Sequence, residues 1–306
     1  MKNFFKTVGI SASIGLLTYF ITKEIQTASN NFIIDTKHIY LNNLDTSDEG
    51  FTIAHLSDIH NQFFFKSDED YAFDIQKQYR SHLSEALSKR SINAIVISGD
   101  LFDKRRPHIG KGLEFLKELT QIAPVYVVSG NHDKSAVATK DTLLELTKDA
   151  LDDIGVHQID DRLIKLTSSI VLAGIEDPLF IDDETWKDTL ASLAQRAKST
   201  ASTTLLLSHR PERFELYAKY GFDLTFCGHA HGGQIQAPLI GALYAPHQNY
   251  FPKYTDGVYT LSHANNKNTS LMHLSRGLGS TNIECRFLSQ AHASILILHK
   301  NHSATQ

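Results

Sequence analysis

The chain carries histidine and aspartate in short clusters whose spacing suits metal binding. Asp58 and His60 stand two positions apart, and His229 and His231 repeat that spacing further along the chain. Neutral imidazole and carboxylate oxygen are both ligands of first-row transition metals. Because alternate side chains of an extended backbone point to the same side, each pair predicts two ligands that face one site.

Three further clusters supply the other candidate ligands and a proton donor. Asp100 follows a glycine, and its two carboxylate oxygens are suited to bridging two cations. Asn131 offers a neutral carbonyl ligand, and His209 offers another imidazole. His132 is the predicted catalytic acid, since a leaving alkoxide must be protonated, and the neighbouring Asp133 is predicted to orient its ring.

Each of these clusters comes directly after an apolar run that predicts a strand buried on both faces. The runs lie at residues 51–56, 94–98, 124–129, 203–208 and 224–227. Amphipathic helices are predicted between them, and residues 29–50 are predicted to form a linker and a strand pair. This alternation predicts an α/β fold, in which ligands gather at the carboxyl ends of the strands.

Other residues near these clusters leave more than one interpretation open. Arg276 stands next to a glycine and predicts either a phosphate clamp or a structural salt bridge. Glu176 and Asp177 are candidates to reach the site, but a solvated turn is the favoured prediction. Residues 63–65 are three phenylalanines, which predict core packing or an apolar rim to the site, and residues 238–257 predict a loop over it.

Composition limits the classes of function. The chain has 306 residues, 42% of them apolar, and a net charge of −4, so no basic surface indicates nucleic-acid binding. Cys227 and Cys285 lie in apolar runs and predict buried thiols rather than a disulfide or a zinc site. The oligomeric state is not predicted.

The N-terminal residues predict a segment separate from the main domain. Residues 7–22 are uncharged and would span roughly 24 Å as a helix, slightly less than the roughly 30 Å of a bilayer core. Two lysines precede this run, so we expect a membrane anchor over residues 1–28 and an extracytoplasmic domain over residues 29–306. A signal peptide cleaved on secretion and an amphipathic or disordered leader are the alternatives.

The clusters also form one ordered pattern, in which each motif supports the others. The pattern is Asp58-x-His60, Gly99-Asp100, Gly130-Asn131-His132-Asp133, His209 and Gly228-His229-x-His231. It resembles the calcineurin-like metallophosphoesterase family, with motifs D-x-H, G-D-x-x-D, G-N-H-D/E, H and G-H-x-H. The leader and the segments at 241–246, 251–254 and 275–279 are similar to the membrane-associated bacterial YkuE/YaeI type. That type often carries Asn-x-Pro-Glu where this chain has residues 288–292, a segment expected to touch no ligand.

The resemblance implies a fold, a metal centre and an activity. The fold would be a four-layer α/β/β/α sandwich, preceded here by the N-terminal hydrophobic helix. Two divalent cations, Mn, Fe or Zn, would be held by two sets that share one carboxylate. The sets are Asp58, His60, Asp100 and His231 for one cation, and Asp100, Asn131, His209 and His229 for the other. His132 would contact the phosphate and protonate the leaving group.

The implied reaction is hydrolysis of a phosphodiester, pyrophosphate or phosphomonoester by metal-activated water. A lipid-linked or cell-envelope substrate is one interpretation, because of the predicted anchor and the phenylalanines at 63–65. A general phosphoesterase at the cell surface is a second. The alternative from another class is a catalytically weak metal-binding protein of the cell wall or membrane surface.

Overall fold

The computed structural model describes residues 18–24, 31–60, 73–105, 108–137, 148–262, 269–279 and 286–302. The phenylalanines at 63–65 and Cys285 lie outside these ranges. Cys227, by contrast, is a buried free thiol, as predicted.

The described residues form two large sheets, two short hairpins and several helices. The strands are β1 (Phe32–Leu41), β2 (Thr52–Leu56), β3 (Ala94–Ile97), β4 (Val125–Val127), β5 (Val156–Gln158), β6 (Arg162–Lys165), β7 (Ile170–Gly174), β8 (Thr203–Leu207), β9 (Leu224–Cys227), β10 (Gln236–Ala237), β11 (Gly241–Ala242), β12 (Tyr244–Ala245), β13 (Asn249–Tyr250), β14 (Gly257–Ser262), β15 (Thr269–Leu274) and β16 (Ala291–Lys300). The helices are α1 (Phe73–Ser88), α2 (Ile109–Leu119), α3 (Asn131–Val137), α4 (Asp183–Thr200) and α5 (Phe214–Tyr220), with short 3-10 turns at Thr46–Asp48, Pro178–Phe180, Pro211–Arg213 and His231–Gly233. Residues 18–24 and 148–153 are also helical.

Both large sheets are built around parallel strands. The first has the order β1-β16-β2-β3-β4-β5, and β2 to β5 run parallel in it. The second has the order β14-β15-β9-β8-β7-β6, and its four inner strands are parallel. The predicted mixed α/β class is therefore confirmed. The predicted strand pair at 29–50 is wrong, because β1 pairs with the distant β16 instead.

Three apolar clusters hold these elements together. One lies between the two sheets and includes Val96 from β3 and Phe226 from β9. A second packs the outer face of the first sheet against α1 and α2, where Phe115 is fully buried. The third packs the outer face of the second sheet against α4 and α5 through Trp186 and Tyr217. The layers follow one another as helix, sheet, sheet, helix, which is what the four-layer prediction requires.

The expected N-terminal helix is described only in part. Residues 18–24 are helical, and the rest of the 1–28 segment lies outside the described residues. Within the part of the chain that the structure describes, no helix combines the length and the apolar character needed to cross a membrane. The anchor and the boundary between residues 28 and 29 therefore stay predictions.

Candidate metal centre

The predicted ligands lie in the loops that follow β2, β3, β4, β8 and β9, but the backbone there is not extended. The φ angles are +48° at Asp58, +46° at His60, +55° at Asp100, +70° at His229 and +51° at His231. Side chains larger than glycine rarely adopt this left-handed region, and such strain clusters at functional sites. The prediction that each pair faces one site through strand alternation is wrong in its mechanism, because sharp turns aim these side chains.

The turns bring the ligands into three overlapping groups. Within each group, one ligand atom from every residue lies within 4.8 Å of the others. The groups are Asp58 with His60 and His231, Asp100 with His209 and His229, and His60 with Asp100 and His132. All of these residues are buried. The structure thus assembles in one place side chains that are up to 173 positions apart in the sequence, from Asp58 to His231.

Asp100 lies where the groups meet, and its two oxygens have different partners. Oδ2 lies 3.5 Å from Nε2 of His60 and 3.3 Å from Nε2 of His209. Oδ1 accepts a 2.8 Å hydrogen bond from the backbone N–H of His132. A single oxygen of Asp100 therefore faces both halves of the centre, and the other fixes the loop. That its two oxygens bridge two cations stays a prediction.

The loop after β4 delivers Asn131, His132 and Asp133 in the first turn of α3. Asp133 accepts hydrogen bonds from the backbone N–H groups of Gly130 at 3.0 Å and Phe102 at 2.8 Å. It therefore connects the loop after β3 with the loop after β4. Its carboxylate binds these backbone groups, and not the His132 ring as predicted. Burial, followed by the nearby charge of Asp100, raises the pKa of Asp133 to about 7.

Glycines let the loops come this close. A methyl group added at Gly130 would overlap Oδ1 of Asp100, and one added at Gly228 would overlap the hydroxyl of Ser57 and the carboxylate of Asp58. Because real Cβ atoms do not approach other atoms so closely, both positions exclude any larger side chain. The glycines that the sequence places before the ligands are thus needed for contact between loops.

Burial keeps most of the imidazoles neutral, as metal ligands must be. It lowers the pKa of His60 and of His231 to about 3. Burial also acts against protonation of His209, but the adjacent Asp100 carboxylate outweighs it and raises the pKa of His209 to about 10. Nδ1 of His209 lies 2.7 Å from the carbonyl oxygen of Ser98, so Nδ1 donates and Nε2 faces the centre.

Several ligand atoms in this centre have no hydrogen-bond partner among the described residues. Both ring nitrogens of His60, Nδ1 of His231 and Oδ1 of Asn131 are buried and make no hydrogen bond within the described residues. Buried polar atoms are normally hydrogen-bonded, and leaving one unpaired costs about 1–3 kcal/mol. Divalent cations would satisfy these atoms, and the mixed carboxylate, amide and imidazole donors fit transition metals.

Comparison with known proteins agrees with this geometry. The model of the calcineurin-like phosphoesterase family matches residues 51–233, more than half of the chain. The chain belongs to this family. It is therefore a metal-dependent phosphoric ester hydrolase with ligand clusters for two divalent cations.

Individual members of the family are similar at low identity. The uncharacterized metallophosphoesterase YkuE of Bacillus subtilis is 26% identical over 254 residues, which cover 82% of this chain and 79% of YkuE. The phosphodiesterase YaeI of Escherichia coli is 26% identical over 209 residues, covering 65% and 69%. Among solved structures, a Danio rerio dimetal phosphatase has a TM-score of 0.43 at 12% identity, covering 75% of this chain and 88% of that protein.

Three residues of this phosphoesterase centre were not predicted as its members, although Asp177 was one candidate to reach it. Asp177, expected in a solvated turn, is 1% exposed and pairs with Arg210 through contacts of 2.5 and 2.8 Å. Arg210 in turn lies 3.2 Å from Nε2 of His229. His247 comes from the segment predicted to lie over the site and approaches the same ring. The sequence signal for Arg210 is its position directly after the predicted ligand His209.

The opposite side of the centre is held by arginines and by the segment before β16. Arg276 pairs with Asp256 at 3.5 Å, which favours its structural interpretation. Buried Arg286 donates to the backbone carbonyls of His231 and Arg276 at 3.3 and 2.9 Å. Ser289 Oγ also donates to the carbonyl of His231. The expectation that residues 288–292 touch no ligand is therefore wrong.

Proposed function

We propose that this chain hydrolyses phosphoric esters at a dinuclear centre with shared ligands. One cation is held by Asp58, His60, Asp100 and His231, and the other by Asp100, Asn131, His209 and His229. The observation that carries this proposal is the convergence of the buried aspartates and histidines, together with unpaired ligand atoms on His60, His231 and Asn131. When bound, two cations lower the pKa of a water molecule and offset the charge that builds on the phosphoryl oxygens.

In this proposal His132 contacts the phosphate and protonates the leaving oxygen. Its ring lies 4.7 Å from the His60 ring, centroid to centroid, and it shares a group with Asp100. Its backbone N–H is bound to Asp100, so the same carboxylate that serves both cations also fixes the position of the acid. Proton donation by a group placed in this way typically contributes about 100- to 10,000-fold to a rate.

The proposed substrate is a phosphodiester or pyrophosphate that carries a lipid. Exposed apolar side chains on the two short hairpins support this: Leu239 is fully exposed, and Ile240, Tyr250 and Phe251 are 63%, 76% and 71% exposed. These hairpins follow directly after the loop of His231 and contribute His247 to the centre. Large exposed apolar patches mark sites for apolar partners or ligands.

We further propose that residues 1–28 anchor the enzyme and that the domain at 29–306 works outside the cytoplasm. The apolar run at 7–22, with lysines before it, supports this arrangement. Fusing a reporter enzyme that is active only outside the cytoplasm to the C-terminus tests the orientation. Activity from only a reporter that works in the cytoplasm would contradict this orientation.

Metal-dependent turnover by the full-length chain is the deciding experiment. We expect metal-stripped protein to hydrolyse bis-p-nitrophenyl phosphate and p-nitrophenyl phosphate only after Mn²⁺, Fe²⁺ or Zn²⁺ is added. His132→Ala should lower kcat by about 100-fold or more while both cations stay bound. His38→Ala, a change at a distant surface histidine, is the matched control and should keep full turnover. Two bound cations with no turnover of any ester would favour the alternative, a metal-binding protein of the cell wall or membrane surface.

The lipid part of the proposal has its own test. A lipid-linked pyrophosphate and the same headgroup without acyl chains should differ in KM, with the acylated form preferred. Leu239→Ser combined with Ile240→Ser should raise KM for the acylated substrate and leave turnover of bis-p-nitrophenyl phosphate unchanged. Equal KM values for the two substrates would overturn the lipid assignment but not the phosphoesterase assignment.

A further inference from the structure

His247 lies at the turn between β12 and β13, with its backbone in the left-handed region at φ +57°. Its ring lies 4.9 Å from the ring of His229, centroid to centroid. Nδ1 of His247 is 2.8 Å from Nε2 of His229 and 2.7 Å from Nη1 of Arg210. Three nitrogen atoms from separate loops therefore meet behind one proposed metal ligand.

Arg210 determines which of these nitrogen atoms carry a proton. A guanidinium has only N–H donors. Asp177 accepts hydrogen bonds from Nε and Nη2 of Arg210, at 2.5 and 2.8 Å. Nη1 faces both imidazoles, and it also lies 3.6 Å from a carboxylate oxygen of Glu212. Because Nη1 donates at 2.7 Å to Nδ1 of His247, that nitrogen is an acceptor, and the proton of the neutral His247 ring lies on Nε2.

His229 needs such an acceptor. Its Nδ1 faces the centre and lies 3.1 Å from Nε2 of His209. An imidazole that ligates through Nδ1 must keep its proton on Nε2, and metal-bound histidines normally donate that proton to a fixed partner. Two groups lie next to Nε2 of His229. Arg210 is a donor and cannot accept, so this proton is left to the lone pair of His247 Nδ1, which it shares with Nη1 of Arg210.

Without His247, Arg210 would select the wrong tautomer of His229. Nη1 lies 3.2 Å from Nε2 of His229, close enough to donate to it. A donor at Nε2 stabilises the tautomer with its lone pair on Nε2 and its proton on Nδ1, and that proton would block the cation. The buried Asp177 balances the charge of Arg210, but it does not change the direction of donation.

We propose that His247 is a positioning residue for the second cation, acting by holding His229 in the tautomer whose Nδ1 lone pair faces the centre. The proposal rests on the proposed dinuclear function, and it adds that the affinity for one cation depends on a hairpin residue outside both ligand sets. The loss of a hydrogen-bond partner behind a ligand typically weakens metal binding by about 10- to 100-fold.

The test is a cation titration, which needs no substrate. Metal-stripped full-length protein is titrated with Mn²⁺ and with Zn²⁺ against a competing chelator, and both stepwise affinities are recorded. His247→Ala should weaken one step by about 10- to 100-fold and leave the other within about threefold. His247→Asn should recover most of the loss, because the amide oxygen can accept from Nε2 of His229. Tyr244→Ala, at an exposed side chain of the same hairpin, should bind both cations like the wild type.

Three results would overturn the proposal. The first is wild-type affinity for both cations in His247→Ala, which leaves the dinuclear function intact. The second is equal weakening in His247→Asn and His247→Ala, since an acceptor would then not be what matters. The third is equal weakening in Tyr244→Ala, which would assign the effect to the hairpin as a whole. A wild-type chain that binds fewer than two cations would refute the proposed function itself, and this inference with it.

Discussion

Asp100 illustrates how much depends on single atoms in this centre. Its Oδ2 atom faces His60 and His209, and its Oδ1 atom accepts from the backbone of His132. Burial opposes ionisation of this carboxyl, but the neighbouring His209 outweighs it and holds the pKa of Asp100 well below its usual range. The carboxylate therefore stays charged and available as a ligand wherever the fold is intact.

We predict that Asp100→Asn removes activity by releasing the shared ligand. An amide lacks the negative charge, and its NH2 group cannot bind a cation, so kcat for bis-p-nitrophenyl phosphate should fall by about 1,000-fold or more, equivalent to roughly 4 kcal/mol. Metal content, measured by mass spectrometry of desalted protein, should fall below two cations per chain. Asp188→Asn, at an exposed position of α4, is the matched control. An Asp100→Asn variant with two cations and normal turnover would refute the assignment.

At this scale the sequence predicts residue types better than contacts. The spacing of Asp58 and His60, and of His229 and His231, indicates ligands because few other roles suit those residue types after buried strands. It does not indicate that each adopts a positive φ, because that conformation depends on close contacts between loops. The same limit applies to Asp133, whose partners are backbone groups of two different loops.

Loops at the carboxyl ends of strands are the elements that build the centre, and they touch through glycines. The loop after β9 lies against the loop after β2, so that no space remains for a side chain at Gly228. The backbone N–H of His229 donates to both oxygens of Asp58, at 3.1 and 3.0 Å. A backbone N–H group that follows the second sheet therefore binds a carboxylate that follows the first sheet.

Gly228→Ala is predicted to disrupt the centre while leaving most of the fold in place. The added methyl group must displace Ser57 or Asp58, so we expect a loss of activity of about 100-fold or more and weaker cation binding. Gly110→Ala in α2 is the matched control, since a methyl group there meets nothing within 4 Å and alanine favours helices by roughly 1 kcal/mol. Circular dichroism should report folded protein for both variants. Full activity in Gly228→Ala would show that the loops separate more easily than this packing implies.

The hairpin and turn residues behind the ligands show where sequence patterns stop being informative. Asp177 and Arg210 form a buried ion pair between two loops that lie 33 positions apart. A charged residue in a polar loop usually predicts solvent exposure, and its partner is set by tertiary packing alone. His247 was predicted only as part of a loop over the site, because no spacing rule connects it with His229.

The interior of the whole molecule contains histidines outside the centre. His55 and His273 are fully buried between the sheets, with their Nδ1 atoms 2.7 Å apart, and His292 is 1% exposed. His55 is a hydrogen-bonded core residue, through this bond and its 2.8 Å contact with Ser98. Burial lowers the pKa of His55 and of His292 well below the usual range, and that of His273 to about 3.

These histidines predict a loss of stability in acid. The unfolded chain takes up protons below about pH 6.5, whereas the folded chain excludes them until about pH 3 at His273. The free energy of unfolding should therefore fall as pH drops from about 6.5, by about 1.4 kcal/mol per pH unit for each excluded proton. Urea unfolding of metal-stripped protein at several pH values measures this slope. His273→Gln should reduce it by about one proton, and the exposed His157→Gln is the control; equal slopes in all three proteins would contradict the prediction.

Much of the fold follows from local patterns, and the remainder depends on distant pairing. Strands such as Ala94–Ile97, in which every residue is buried, are marked by uninterrupted apolar runs. The parallel order of these strands follows from the helices between them. The pairing of β1 with β16 has no such local signal, because the two strands lie about 250 positions apart and meet only in the folded molecule. Its absence from the prediction led to the erroneous strand pair at 29–50.

That pairing has a consequence for how the chain folds as it is synthesised. β16 is the last of the described strands along the chain, yet it lies between β1 and β2, and Ala291 emerges 235 positions after Leu56. At the usual speed of translation, β1 and the adjacent edge of β2 stay unpaired for on the order of 10 to 50 seconds, until β16 is synthesised. Exposed strand edges favour aggregation, so the nascent chain is expected to depend on chaperones during this interval. Ribosome-stalled chains that end before Ala291 should be cut by protease within β1, and chains released after β16 should resist.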